Sequence, residues 1–386
     1  MSADPGAEVT QVSAVFVPIG CMVQKICVAA TTPFPICYAC YMTRKTDTMV
    51  PDLLADPFGE RSQTIAQEHF QLLGGRFQFE SDSPQLLRLV DSAYLGLPPH
   101  RLSTVAPRLR VRLLLNAPEH PRPRRGSEPP PLSMLSGAGY LGGATNSSSF
   151  VVLSPSEKTA LVVLSRQMLR FPHHTRYEYI EFAAFTLASR CQELVSLHAA
   201  CVGRGGRGIL LMGSSGSGKS TVTLHCLLQG FDMLSEDSVF VAPDTMLATG
   251  AANFLHVRSD ALRWLGKTRD AAAIRKSPVI RRRSGVRKFE VDLRRAAYRL
   301  AASPLKITAV VFLSPQSAGD RSLLRPLSKS DLLTKLTAAQ AYAANQPKWA
   351  AFRKGVLGLG AFELRRGSHP LEAVDALEAL LGSRAQ

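Results

Sequence analysis

Hydrophobic and polar positions change rhythm along the chain, and each rhythm predicts an element. Arg76-Phe-Gln-Phe-Glu80 alternates as a half-buried strand does, and Leu109-Arg-Val-Arg-Leu-Leu-Leu115 repeats the pattern. Arg61–Leu73 reads as a short helix stopped by Gly74-Gly75. A second helix starts at Ser83, carries Leu86, Leu87, Leu89 and Val90, and ends at Gly96, Pro98 and Pro99. Phe150–Leu153 and Ala160–Leu164 read as strands, paired as a hairpin around Pro155. Residues 118–149, ahead of them, are rich in Pro, Gly and Ser with Arg122, Arg124 and Arg125, and read as a mobile insert.

In Tyr177–Gln192 the positions Ile180, Ala183, Ala184, Leu187 and Ala188 recur at helical spacing. The apolar run Leu194–Val202 is a strand, and the turn Gly203-Arg-Gly-Gly-Arg-Gly208 joins it to a second, Gly208-Ile-Leu-Leu-Met212. Strands joined that tightly are antiparallel, unlike a doubly wound sheet in which helices separate parallel strands. A helix follows over Thr221–Gln229, with Gly230 as its stop. Phe231–Val241 is then a strand with Glu236 and Asp237 in its middle. Phe254–Val257 is a strand that turns helical through Leu262, Trp264 and Leu265. Ile307–Leu313 is a buried strand, and Leu332–Ala344 and Pro370–Leu381 are closing helices. The fold class is α/β with α+β character, and no internal repeat is present.

Residues 1–50 break these rhythms. They hold Cys21, Cys27, Cys37 and Cys40 and read as a disordered leader, or as a stretch preceding a native start at Met42 or Met49. Cys37-x-x-Cys40 has zinc-ligand spacing, which the pair Cys21/Cys27 does not match. The remainder divides into a smaller N-terminal α+β domain over 51–175 and a catalytic domain over 176–386; 386 residues leave room for both. The longest apolar region, Val12–Met42, is interrupted by Pro18, Gly20, Gln24, Lys25, Pro33 and Pro35, so it does not read as a membrane span. Asp4 and Glu8 precede it without Lys or Arg, which does not suit a signal peptide. Seven cysteines, an odd number scattered over the chain, suit reduced thiols and a cytoplasmic location.

A formal charge of +16 points to an acidic partner: nucleotide, nucleic acid, membrane surface or acidic protein. Part of it is concentrated in 275–288, with Arg275, Lys276, Arg281, Arg282, Arg283, Arg287 and Lys288. That segment reads as a loop meeting phosphate or an acidic substrate, or as a solvated charged loop. Few aromatics interleave with these cations, which weakens a nucleic-acid reading.

The sharpest chemistry lies at Gly213-Ser-Ser-Gly-Ser-Gly-Lys-Ser-Thr221, which fits G-x-x-x-x-G-K-[ST] between a strand and a helix. Gly213, Gly216 and Gly218 let the backbone approach polyphosphate oxygens, and the helix N-terminus adds partial positive charge. Ser214, Ser215, Ser217 and Thr221 are the remaining residues of the stretch. Lys219 would reach the β- and γ-phosphates of ATP, and the Ser220 hydroxyl would ligate Mg²⁺. Glu236 and Asp237 within an apolar run are costly unless a metal or a catalytic role offsets their burial. His225 and Cys226 read as structural.

Three stretches together, His198-Ala-Ala-Cys-Val202, Gly208–Ser220 and Gly230-Phe-Asp-Met-Leu-Ser-Glu-Asp237, resemble the catalytic domain of HPr kinase/phosphorylase. Gly74–Glu80 with Leu89-Val-Asp91, and Lys288-Phe-Glu-Val-Asp292, are similar to HPr-kinase-related proteins found beside peptide-modifying biosynthetic genes. The resemblance implies a P-loop kinase fold of the HPr kinase and phosphoenolpyruvate carboxykinase type, with a mixed sheet. It implies that residues 213–221 hold ATP and Mg²⁺, that Glu236 is the general base, that Asp237 orders the site through metal, and that His198 lies near the phosphates. The implied reaction is transfer of the γ-phosphoryl group to a hydroxyl, a serine of a small protein or peptide, or else of a small metabolite. Self-association is implied too. Glu236 stands where the family has Asp, Ala199 where it has Gly, and Thr221 where the bifunctional enzymes have Glu, so a phosphorylase activity and HPr as substrate are not implied. A nucleotide-binding switch or assembly ATPase without an acceptor is the alternative.

Overall fold

The alternating segments around Arg76 and Leu109 become neighbours in one mixed sheet. The computed structural model describes residues 65–116, 131–295, 298–319 and 321–382. The expected leader over 1–50 with its four cysteines lies outside them, as do residues 118–130 of the expected insert. Seven strands run in the order Ala66–Leu72, Gly75–Ser81, Arg108–Asn116, Thr159–Ser165, Ser149–Ser154, Tyr140–Asn146 and Ser133–Gly137. Gly75–Ser81, Arg108–Asn116 and Thr159–Ser165 are mutually parallel, and the other neighbours are antiparallel. A parallel pair needs a crossover, and the helix Pro84–Tyr94 supplies the first. Arg108, Arg110 and Arg112 face water, while Leu109, Val111 and Leu113 pack with Phe77, Phe79, Leu86 and Tyr94 in the core.

Two expectations are corrected here. Ala66–Leu72 is a strand and not part of a helix, because Leu73 (φ 50°) and Gly74 (φ 83°) form a two-residue turn with both residues left-handed. Such a turn matches the twist of paired strands and sets Leu72 opposite Gly75. In place of an irregular insert, residues 133–146 form an antiparallel hairpin that extends the sheet beyond Ser149–Ser154.

A continuous helical segment follows: Pro172–His174, the π-helical stretch Thr175–Glu181, and Phe182–Cys191. It spans the boundary expected between 175 and 176. Tyr179, Ile180, Ala183, Ala184 and Leu187 pack into the core of the first sheet. From its π-helical part, Arg176 pairs with Glu290 and the Tyr177 ring lies under the Arg282 guanidinium.

The second sheet has nine strands. Asp232–Ser235, Ala200–Arg204, Arg207–Met212 and Leu305–Ser317 lie side by side, and Leu305–Ser317 continues the sheet to Leu247–Gly250 and to Gly360–Arg366. Arg207–Met212 is antiparallel to Ala200–Arg204, as the tight turn predicts, and parallel to Leu305–Ser317. Its side chains serve two cores. Ile209 and Leu211 pack with the helices Lys219–Leu228 and Pro370–Gly382, while Leu210 and Met212 pack with Lys329–Ala339 and Trp349–Val356. A strand covered on both faces is apolar throughout, as Ile-Leu-Leu-Met is. A small antiparallel sheet of Phe254–Val257, Arg287–Asp292 and Val279–Arg281 completes this mixed α/β fold.

Candidate phosphate-binding site

The strand Arg207–Met212 delivers the chain to the glycine-rich loop, and the helix Lys219–Leu228 begins at the end of that loop. Gly218 precedes the helix at φ 101°, a conformation open to glycine and strained for other residues, with nothing within 4 Å of where a Cβ would stand. Ser214, Ser215 and Gly216 are exposed, and the buried Ser217 hydroxyl has no hydrogen-bond partner. No acidic residue stands in the first turn of the helix, so its N-terminal positive charge is not neutralised from within. A glycine-rich turn, an orphan hydroxyl and a helix N-terminus form a cradle suited to an anion.

The carboxylates reach this cradle because two strands break at the same level. The expected strand Leu194–Val202 is interrupted at His198-Ala199, between Val195–Leu197 and Ala200–Arg204. The expected strand Phe231–Val241 is interrupted at Glu236, Asp237 and Ser238, between Asp232–Ser235 and Val239–Ala242. The two chains pair on either side of the breaks, Ser235 with Cys201 and Val239 with Leu197. The kinks therefore face one another. Glutamine side chains replace the missing ladder: Gln340 accepts from the His198 N–H at 2.9 Å and donates to its carbonyl at 3.0 Å, and Gln346 does the same for Ser196 at 2.7 and 2.9 Å. Backbone groups at a sheet edge are thereby satisfied without another strand.

Within this gap the sequence-predicted residues meet. Lys219 Nζ donates to Asp237 Oδ1 at 2.9 Å. His198 Nδ1 lies 3.1 Å from the same oxygen, and its Nε2 lies 3.3 Å from Lys219 Nζ, from which a neutral imidazole accepts. Burial holds the His198 pKa below its usual value, against the pull of Asp237. Burial alone would raise the Asp237 carboxyl, but Lys219, His198 and Arg282 together hold it well below the usual range. Glu236 faces the other way. Its Oε1 accepts from the Ser220 hydroxyl at 2.8 Å, and its Oε2 accepts from the His256 backbone N–H at 2.9 Å and from its ring Nδ1 at 2.7 Å. Against the upward effect of burial, His256 and Lys288 hold the Glu236 carboxyl at about 2. Both acids are anions at neutral pH.

Sequence reasoning missed the layer behind these acids. His256 stands directly across the small sheet from Glu290, with Nε2 3.4 Å from Glu290 Oε1. That oxygen also accepts from His173 Nδ1 at 2.9 Å and from the Arg176 guanidinium. Arg176 lies 3.3 Å from Glu181 and over the Phe254 ring at 4.1 Å. His173, His256 and Glu290 bring three possible metal-ligating atoms within 4.8 Å of one another, but the Arg176 cation already neutralises the shared carboxylate. The available signal was His256, the one polar residue in Phe254–Val257; Glu290 stands among Arg287, Lys288 and Asp292 and gives none.

The basic segment 275–288 is partly turned inward and is not a uniformly solvated loop. Arg282 is buried, its guanidinium carbon 5.0 Å from the Tyr177 ring centroid and its Nη2 3.9 Å from Asp237 Oδ2. Arg283 pairs with Glu178. Burial lowers the Lys288 pKa, against the pull of Glu236. His225 and Cys226 are buried in the motif helix, away from these charges. Among the described residues no helix is long and apolar enough to cross a membrane.

No protein-family model matches the chain, and no curated protein matches it. Among solved structures it is similar to the Hpr(Ser) kinase/phosphatase from Coxiella burnetii, at 13% identity and a TM-score of 0.24, over 48% of this chain and 90% of that one. A likeness at that level decides nothing about chemistry, which rests here on the site itself.

Proposed function

We propose that the protein is an ATP-dependent phosphotransferase acting on a hydroxyl group. One observation carries this reading: the lysine and serine of a glycine-rich anion cradle each contact one of two adjacent acids, Lys219 the half-buried Asp237 and Ser220 the buried Glu236. A lysine at the mouth of such a cradle is placed to exchange its carboxylate for a β- or γ-phosphate oxygen when nucleotide enters. The amides of residues 213–218 and the helix N-terminus would hold the remaining oxygens. Ser220, with Glu236 against it, would hold Mg²⁺, which when bound neutralises phosphate charge. His198 fixes the lysine and the acid relative to each other, and the kinked strands hold His198. Transfer needs in-line placement and a carboxylate to take the acceptor's proton, and two are present. The acceptor implied by the sequence resemblance is a serine of a peptide or small protein, with a small hydroxyl metabolite next.

The test follows the label of [γ-³²P]ATP with Mg²⁺, scored as phosphorylated acceptor and as free phosphate. The wild-type chain is expected to turn over the label, and Lys219→Ala to lose at least about 100-fold. Equal turnover by both would overturn the reading. Free phosphate with no labelled acceptor from any peptide or metabolite pool would favour a switch ATPase.

A further inference from the structure

We infer that Asp237, and not Glu236, accepts the proton of the acceptor hydroxyl, and that His256 is the positioning residue that commits Glu236 to the Ser220 side. This rests on the phosphotransferase reading and assigns roles within it. The two acids are neighbours in sequence but differ in what is left of their hydrogen-bonding capacity. Glu236 is 6% exposed, and each oxygen is engaged at short range, Oε1 by Ser220 at 2.8 Å and Oε2 by two His256 donors at 2.9 and 2.7 Å. Three of the roughly four acceptor sites of the Glu236 carboxylate are thus taken, and neither of its oxygens is left without a donor at 2.9 Å or less. Asp237 is 18% exposed, and its contacts concentrate on Oδ1, which takes Lys219 at 2.9 Å and His198 at 3.1 Å. Oδ2 is less engaged, with the Tyr177 hydroxyl 3.5 Å away and Arg282 3.9 Å away. When Lys219 turns to phosphate, Asp237 Oδ1 loses its closest donor, and Asp237 is already the more accessible of the two acids.

The clamp on Glu236 has its own support. The His256 backbone N–H is fixed by its strand, and its ring is held from behind by Glu290, which His173 and Arg176 hold in turn. Glu236 is thus kept beside the hydroxyl that would hold Mg²⁺. In the step itself, the acceptor oxygen bonds to the γ-phosphorus while the bond from that phosphorus to the β,γ-bridging oxygen breaks. The bond's electron pair leaves with ADP, and the hydroxyl proton passes to Asp237 Oδ2. Water is the simplest acceptor, so hydrolysis reports the same step.

The test uses the full chain and two readouts: binding of a fluorescent ATP analogue as Mg²⁺ is titrated, and phosphate release from ATP. Asp237→Asn is expected to bind the analogue at least as tightly as wild type, since Lys219 is then no longer held by a carboxylate charge, and to lose phosphate release by about 100-fold or more. Glu236→Gln is expected to raise the Mg²⁺ concentration for half-maximal binding about tenfold or more. His256→Asn should shift it in the same direction, and should add little in the Glu236→Gln background because it acts through that acid. His256→Gln serves the same purpose should the asparagine variant not fold. Unchanged Mg²⁺ dependence in Glu236→Gln with release abolished, or full release by Asp237→Asn, would overturn the assignment. Failure of the wild-type chain to bind the analogue at any Mg²⁺ concentration would instead overturn the phosphotransferase reading, and this inference with it.

Discussion

Gln340 grips the backbone of His198 from both sides, accepting from its N–H at 2.9 Å and donating to its carbonyl at 3.0 Å. The amide stands in for one residue of a neighbouring strand at the point where the sheet breaks, and so sets the height at which the imidazole meets Lys219 and Asp237. Gln340 is fully buried, so removing its amide leaves backbone groups without partners. Gln340→Ala is expected to cost about 1–3 kcal/mol in urea unfolding. A change below about 0.5 kcal/mol would show that the clamp is dispensable.

Gly218 stands at φ 101° with open space on its Cβ side, so alanine there is strained but not crowded. Gly218→Ala is expected to destabilise by about 1–3 kcal/mol and to weaken nucleotide binding. Gly382, at the end of the helix Pro370–Gly382 and also with open space, has no positive φ and serves as control. Gly382→Ala should be neutral or slightly stabilising. Equal melting temperatures for the two variants would contradict the strained loop.

Behind the site, Arg176 is the buried cation shared by Glu290 and Glu181. Deleting it leaves two buried carboxylates facing each other's charge. Arg176→Met is expected to cost about 3–5 kcal/mol, measured by denaturant unfolding at neutral pH. A loss under about 1 kcal/mol would mean that water reaches the cluster.

How far this site was legible in the chain depends on how local each signal is. The loop 213–221 is contiguous, and two acids inside an apolar run announce themselves, so Lys219, Ser220, Glu236 and Asp237 could be named without a structure. His198 came from resemblance. The strand breaks were hidden, because apolar residues continue on both sides of His198 and of Glu236-Asp237 and the rhythm reads straight through. Whether Ala66–Leu72 becomes strand or helix is decided by the turn at Leu73-Gly74 and by its partner strand, not by its own weak period. His256, Glu290, Arg176 and Gln340 act through partners distant in sequence, and no spacing rule brings them together. Only His256 leaves a trace, as a lone polar residue on a buried strand, and such a residue most often marks nothing.

Burial lowers the His173 pKa from 6.5 to about 4, with Glu290 opposing and Arg176 and His256 reinforcing the shift. Tyr177 stacks on its ring, and His174 lies edge-on to it. The unfolded chain therefore binds this proton at higher pH than the folded one. The stability is fully present above about 6.5 and is lost as the pH falls toward about 4, amounting to about 3 kcal/mol from the 1.36 kcal/mol per unit conversion. His173→Gln should flatten the stability profile between pH 6.5 and about 4 relative to wild type. Parallel profiles for the two proteins would contradict a neutral His173.

The central claim is that a triphosphate rests on residues 213–221 with Lys219 against its outer phosphates. Equilibrium titration calorimetry of ATP and of AMP, in Mg²⁺, against wild type and Lys219→Met tests it most directly. The account predicts that wild type binds ATP at least about tenfold more tightly than AMP, and that the substitution removes most of that difference. Equal affinity of wild type for the two nucleotides, or an ATP preference that survives without the lysine, would contradict it.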